Sequence, residues 1–217
     1  MCTDLSEGIT KMYVKERTAE TEIAIETSKL TKYYGNICAV DHLDLKVSRG
    51  TIHGLIGPNG AGKTTVIKML CGVTNPALGE AYILGFNVRD EPEKAKAQVG
   101  YIPENPMAYE TLTVDEFLNF IGALYLILGD ELQKKKQKYI ELFNLEAYKG
   151  EYIGSLSKGF LQRTIICSIM IREPQVFLLD EPFYGLDPYS SWQFKRLLRE
   201  MRENGKTVLI CTHALGV

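Results

Sequence analysis

The chain has 217 residues, 45% hydrophobic and 24% charged, with a net charge of −2. That is enough for one large domain or a domain carrying an insertion, and the charge balance does not favour nucleic acid as a partner. The longest nearly apolar stretch, residues 117–128, is interrupted by Asn119 and is too short to span a bilayer, so any membrane part of the function belongs to another chain. Asp4 and Glu7 break the N-terminus where a signal peptide needs an apolar core. The five cysteines, Cys2, Cys38, Cys71, Cys167 and Cys211, form no C-x-x-C pair or metal spacing, which fits a reducing, cytosolic setting.

Residues 1–22 are polar, without period or turn logic, and read as a loosely held extension ahead of a domain over 23–217. Glu22 to Glu26 alternates at period two and predicts a half-buried strand that closes at Tyr33 and Tyr34. A second alternating run, Leu43 to Val47, turns at Ser48-Arg49-Gly50 into the apolar run Ile52 to Ile56. The first two strands suggest an antiparallel piece.

Gly57 to Thr65 reads GPNGAGKTT and fills every position of the G-x-x-x-x-G-K-[ST] phosphate loop, with a strand before it and a helix after. A chain of phosphates is best held by many aligned N–H donors, and the open amides of a helix N-terminus supply them. Gly57, Gly60 and Gly62 allow close backbone approach, with Pro58, Asn59 and Ala61 completing the turn and Thr65 in the first helical turn. Lys63 offers a point charge to the β and γ phosphates, and Thr64 a hydroxyl to Mg²⁺.

The helix after the loop runs from Gly62 to about Cys71 and stops at Gly72. Ala81 to Leu84 predicts a strand, Gly85-Phe86-Asn87 a turn, Pro92 to Gln98 a helix and Val99 to Ile102 a strand. Thr113-Val114-Asp115-Glu116 is a capping box. Helical pattern then continues through Leu128, breaks at Gly129 and resumes from Glu131 to Leu142, with Lys134, Lys135, Lys136 and Lys138 as a solvated face. A further helix spans about Lys158 to Arg172, so residues 105–172 form an inserted helical subdomain.

Val176 to Leu179 is unbroken and apolar, as expected of a strand covered on both faces. An amphipathic helix from Pro188 to Asn204 and a buried strand from Thr207 to Cys211 follow. The alternation predicts an α/β phosphate-loop fold with a mostly parallel sheet and helices on both sides. In such sheets ligands sit at the carboxyl ends of strands. Asp180-Glu181 and Thr212-His213 occupy such ends. Asp180 is placed to organise Mg²⁺, Glu181 to orient or deprotonate an attacking water, and His213 to bond the γ phosphate. Read singly, Asp180-Glu181 can be a strand-end cap, and a lone histidine such as His213 is more often an ordinary partly buried one.

With these residues in view, the chain resembles the ATP-binding subunit of an ATP-binding cassette (ABC) transporter over about Ile23 to His213. The specific mark is Leu156-Ser157-Lys158-Gly159-Phe160-Leu161-Gln162-Arg163, similar to the family signature LSGGQ. Gly185-Leu186-Asp187 resembles the loop after the catalytic Glu, at which two subunits meet, and Tyr34 matches the aromatic that stacks on adenine, with Tyr33 competing for the role. The resemblance implies ATP and Mg²⁺ as ligands and ATP hydrolysis as the activity. It implies a second ATPase subunit, identical or different, whose nucleotide is completed by Ser157, Lys158 and Gly159. It also implies a separate transmembrane permease that would hold the chain at the cytoplasmic face of the membrane.

Two departures accompany the resemblance. Glu104 stands where the family has a glutamine that touches Mg²⁺ and the attacking water, and Lys158 and Phe160 depart from LSGGQ while Ser157 and Gly159 remain. The chain ends four residues beyond His213, where the family continues, so the C-terminal end is expected to be incomplete. The reading is an export-type motor subunit; a soluble ABC ATPase and an inactive remnant are the alternatives.

Overall fold

A computed structural model describes residues 22–213. The expected N-terminal extension thus lies outside the described residues except for Glu22. Two compact units emerge: Met1–Tyr101, Gln175–Glu181 and Leu198–Val217 in the first, so far as described, and Ile102–Pro174 with Pro182–Leu197 in the second.

The first unit begins with β1 (Ile23–Tyr34), β2 (Ile37–Ser48) and β3 (Ile52–Ile56), followed by α1 (Lys63–Leu70). β4 (Leu78–Ile83) and the two-residue β5 (Phe86–Asn87) come next, then α2 (Pro92–Gln98) and β6 (Val99–Ile102). β1 pairs antiparallel with β2 and with β4, giving a sheet of order β2-β1-β4-β5. Register shifts between Thr27 and Tyr33 bend the long hairpin, as extra residues in one strand do. Gly85-Phe86-Asn87, expected as a plain turn, instead pairs back on β4 through Tyr82↔Asn87 and Ile83↔Phe86. Two residues are too few for an alternating pattern to declare itself.

The second sheet has order β3-β8-β7-β6, with β7 (Val176–Asp180) and β8 (Thr207–Thr212) arriving from the far end of the chain. β8 runs parallel to both β3 and β7. Every residue of β7 and β8 is buried, which is what their unbroken apolar runs require. Helix α1 packs against β7 and β8 on one side and β2 and β4 on the other. Val66, Ile67, Met69 and Leu70 meet Ile25, Leu30, Ile83, Val176, Leu178, Leu209 and Cys211 in one core. Burying a Leu or Ile side chain is worth about 1.5–3 kcal/mol, so the helix that starts at the phosphate loop is anchored along its length.

The second unit holds α3 (Val114–Leu124), α4 (Gly129–Leu142), α5 (Lys158–Arg172) and most of α6 (Pro188–Glu203). The capping box is present in full: Thr113 accepts from the Glu116 amide, and Glu116 accepts from the Thr113 amide. Helix α3 ends at Leu124, short of the expected Leu128, with Leu126 at φ +59°. α4 starts at Gly129, the residue expected to separate the helices. The apolar run through Leu128 hid this break because it supplies hydrophobicity without a stop residue.

The lysine face of α4 also differs from expectation. Lys136 is 3% exposed and donates to Asp115 and Asn119, and Lys135 reaches Glu131 and Glu173. Only the geometry of α3 beside α4 reveals that the lysine run contains a buried cation paired with a partly exposed acid.

Candidate functional site

Three strand endings of the first unit lie in adjacent rows. Leu55 and Asp180 both pair with Cys211, and one row on, Ile56 pairs with Thr212. The phosphate loop therefore leaves β3 beside the point where Glu181 leaves β7 and His213 leaves β8.

In the loop, Gly60 and Gly62 take φ of +82° and +88°. Gly62 is also sterically fixed: a Cβ there would lie 2.2 Å from the Ala39 carbonyl oxygen of β2. Gly62 is the N-cap of α1, and no side chain caps that end, so the first amides of the helix remain available to a ligand, as an anion cradle needs. The Lys63 ammonium donates to the carbonyls of Gly57 and Pro58, at 2.7 and 3.0 Å. Its charge is thereby held over the loop. Thr64 and Thr65 are partly exposed in the first turn, and Pro58 accepts from the Ala61 amide.

Asp180 is 1% exposed. Its charge, second to burial itself, pushes the thiols of Cys71 and Cys211 upward, and together with burial and Cys71 it also raises Tyr101. These thiols stay protonated and behave as small hydrophobes. Glu181 stands at φ +47°, an uncommon conformation for a side chain of this kind. Its backbone N–H donates to Cys211. Its carboxylate accepts from the Thr212 hydroxyl at 2.9 Å, and from the amide and the Nδ1 of His213 at 2.8 and 2.7 Å. The carboxylate's orientation is thus set by the following strand. His213 engages Glu181 while remaining more than half exposed.

The hard oxygen donors of Thr64 and the buried Asp180 carboxylate suit Mg²⁺, which typically takes one or two protein oxygens and completes its shell with water and substrate phosphates. Among the described residues no group of three or more His, Cys, Asp or Glu is arranged to hold a metal. Tyr34 is 48% exposed at the end of β1, with the Lys32 ammonium 5.5 Å from its ring centre, and Tyr33 is 41% exposed. Either ring is accessible to a base.

The remaining expected site residues lie in the second unit. Glu104 is exposed on the loop after β6. Ser157 caps α5, accepting from the Phe160 amide at 3.5 Å, and Ser157 and Lys158 are exposed. Gly159 fits against Gly185, where a Cβ would meet the Gly185 carbonyl at 2.9 Å. Phe160, a departure from the family signature, stacks on Tyr148 and lies under Arg163. Arg163 pairs with Asp187, which accepts from the Tyr189 and Ser190 amides and the Ser190 hydroxyl and so caps α6. Thr212 was not singled out in the sequence beyond its place at a strand end. Its bond to Glu181 spans 31 residues, a separation no local motif encodes.

A glycine-lined phosphate loop between a strand of the parallel sheet and a helix whose apolar face is buried, with carboxylates at the end of β7, defines a phosphate-loop nucleotide-binding domain. The chain belongs to the ABC transporter family, whose model matches residues 40–184, and it is a nucleotide-binding domain of that family. It is 37% identical over 192 residues to the probable multidrug ABC transporter ATP-binding protein YbhF of Escherichia coli (strain K12), covering 88% of this chain and 33% of that protein. It is 32% identical over 197 residues to the Nod factor export ATP-binding protein I of Rhizobium meliloti (strain 1021), covering 91% and 59%. A solved ATP-binding subunit of an ABC transporter superposes with a TM-score of 0.83 at 33% identity, over 88% of this chain and 80% of that one. The chain thus spans between one third and three fifths of the length of these two curated relatives.

Proposed function

We propose that this chain binds ATP with Mg²⁺ at Gly57 to Thr65 and hydrolyses it as the motor subunit of an export-type transporter. The reading has it work at the cytoplasmic face of the membrane, held there by a separate permease. No helix among the described residues is long and apolar enough to cross a membrane. The multidrug and Nod factor names of the relatives support the export class. The single observation that carries catalysis is the carboxylate of Glu181, fixed by Thr212 and His213 one row from the start of the phosphate loop.

In this reading the open amides of α1 and Lys63 hold the phosphates, and Tyr34 stacks on adenine. Thr64 and Asp180 would hold Mg²⁺, which would supply charge neutralisation to the phosphates. Glu181 takes the proton of the attacking water, and His213, which also holds Glu181, bonds the γ phosphate. The helical subdomain carries Ser157, Lys158 and Gly159 at the N-terminus of α5, where the helix offers donors to the nucleotide of a second ATPase subunit. Asp187 lies at the meeting of the two. Nucleotide-driven pairing and release then move the permease.

Sedimentation of the full chain with and without ATP and Mg²⁺ tests the arrangement. A slowly hydrolysing form should pair on adding ATP, Lys63→Ala should lose both binding and pairing, and Ser157→Arg should lose pairing alone. Pairing that survives Ser157→Arg would remove the signature from the shared site.

A further inference from the structure

We infer that Thr212 is a positioning residue for the reaction, setting the rotation of the Glu181 carboxylate through its hydroxyl; the inference rests on the reading of Glu181 as the base. A terminal carboxylate torsion has no sharp staggered minimum, so its angle is set by whatever donors surround it. Around Glu181, both His213 donors converge on Oε1, at 2.8 Å from the amide and 2.7 Å from Nδ1. Thr212 donates to the other oxygen, Oε2, at 2.9 Å. Donors on one oxygen alone leave the carboxylate free to swing about it. The Thr212 hydroxyl closes the second side and leaves the remaining lone pair of Oε2 in a fixed direction for a water.

Thr212 is well suited to this part. It is 4% exposed, at the end of the fully buried β8, and it pairs in register with Ile56, the last residue before the phosphate loop. The donor that orients the base and the strand that delivers the phosphates therefore belong to one row of one sheet. The left-handed backbone of Glu181 has a cost that surrounding contacts must offset, and the Cys211 and Thr212 bonds are among those contacts.

The test is steady-state ATP turnover of the full chain assembled with its membrane subunit, with nucleotide affinity and melting temperature read on the same preparations. Thr212→Val keeps the shape and removes the donor, and Thr212→Ser keeps the donor. The expected result is a fall in kcat of about tenfold in Thr212→Val with KM and nucleotide affinity within about twofold of the parent, and recovery of most of kcat in Thr212→Ser. Parental kcat in Thr212→Val overturns the inference, as does a Thr212→Ser variant as slow as the valine one. A valine variant that loses affinity and melting temperature in step with kcat also overturns it, since Thr212 would then only support the fold. Glu181→Gln is run alongside. If that variant turns over at the parental rate, the reading of Glu181 as base fails, whatever Thr212 does.

Discussion

Arg163, in the second turn of the signature helix, is paired with Asp187, the residue that caps the helix following the Gly185-Leu186-Asp187 loop. The pair ties two segments 24 residues apart. The Asp187 carboxyl is held down at about 2, first by the Ser190 amide and hydroxyl and then by the Arg163 charge. A depressed carboxyl contributes stability that is complete above its unfolded value of 3.8 and lost as the pH falls through about 2. The melting-temperature gap between the parent and Asp187→Asn should therefore be constant above about pH 5 and narrow below about pH 4. A gap that widens on acidification would contradict the sign.

Asp115 and Lys136 give a second, asymmetric prediction. Lys136 is nearly inaccessible while Asp115 is partly exposed. Removing the acid leaves a buried cation with Asn119 alone, whereas removing the cation leaves an acid that water can reach. Asp115→Ala should lower stability by about 2 kcal/mol, and Lys136→Met should cost clearly less, because an apolar side chain can fill the same space. Denaturant midpoints of the two variants decide it. Equal losses would mean that the burial of the lysine is not the controlling term.

Much of this architecture was legible from residue types, and its gaps have physical causes. The phosphate loop, the Thr113–Glu116 cap and the apolar strand before Asp180 are local patterns whose chemistry lies within a few residues of chain. The end of α3 at Leu124, the burial of Lys136 and the β4–β5 pairing depend on what packs alongside, which periodicity does not carry. The same holds for the site. Lys63 and Glu181 announce themselves by motif and by strand end, but the Thr212 hydroxyl that touches Glu181 is set by the register of β8 against β3 and β7.

Within the phosphate loop, the two left-handed glycines should differ. Gly62→Ala would drive a methyl into the Ala39 carbonyl at the same time as straining the backbone, while Gly60 has open space around its Cβ position. Strain alone costs on the order of 1–3 kcal/mol, and the clash moves the N-terminus of α1 from its place against β2. Nucleotide affinity measured by titration should fall at least about tenfold further in Gly62→Ala than in Gly60→Ala. Equal affinities in the two variants would show that the Ala39 contact does not shape the cradle.

The role of Glu181 is the point on which the account most depends. Glu181→Gln keeps the shape and can still accept from His213 through its one remaining oxygen, while its amide N–H donates to the Thr212 hydroxyl in place of Oε2, but it cannot take a proton. ATP affinity by titration and turnover by phosphate release, measured on the same preparation with Mg²⁺, separate binding from chemistry. We expect affinity within about threefold of the parent and turnover lower by about 10²–10⁴-fold, the range a positioned general base supplies. Turnover at the parental rate with affinity unchanged would contradict the assignment of Glu181 as the group that activates water.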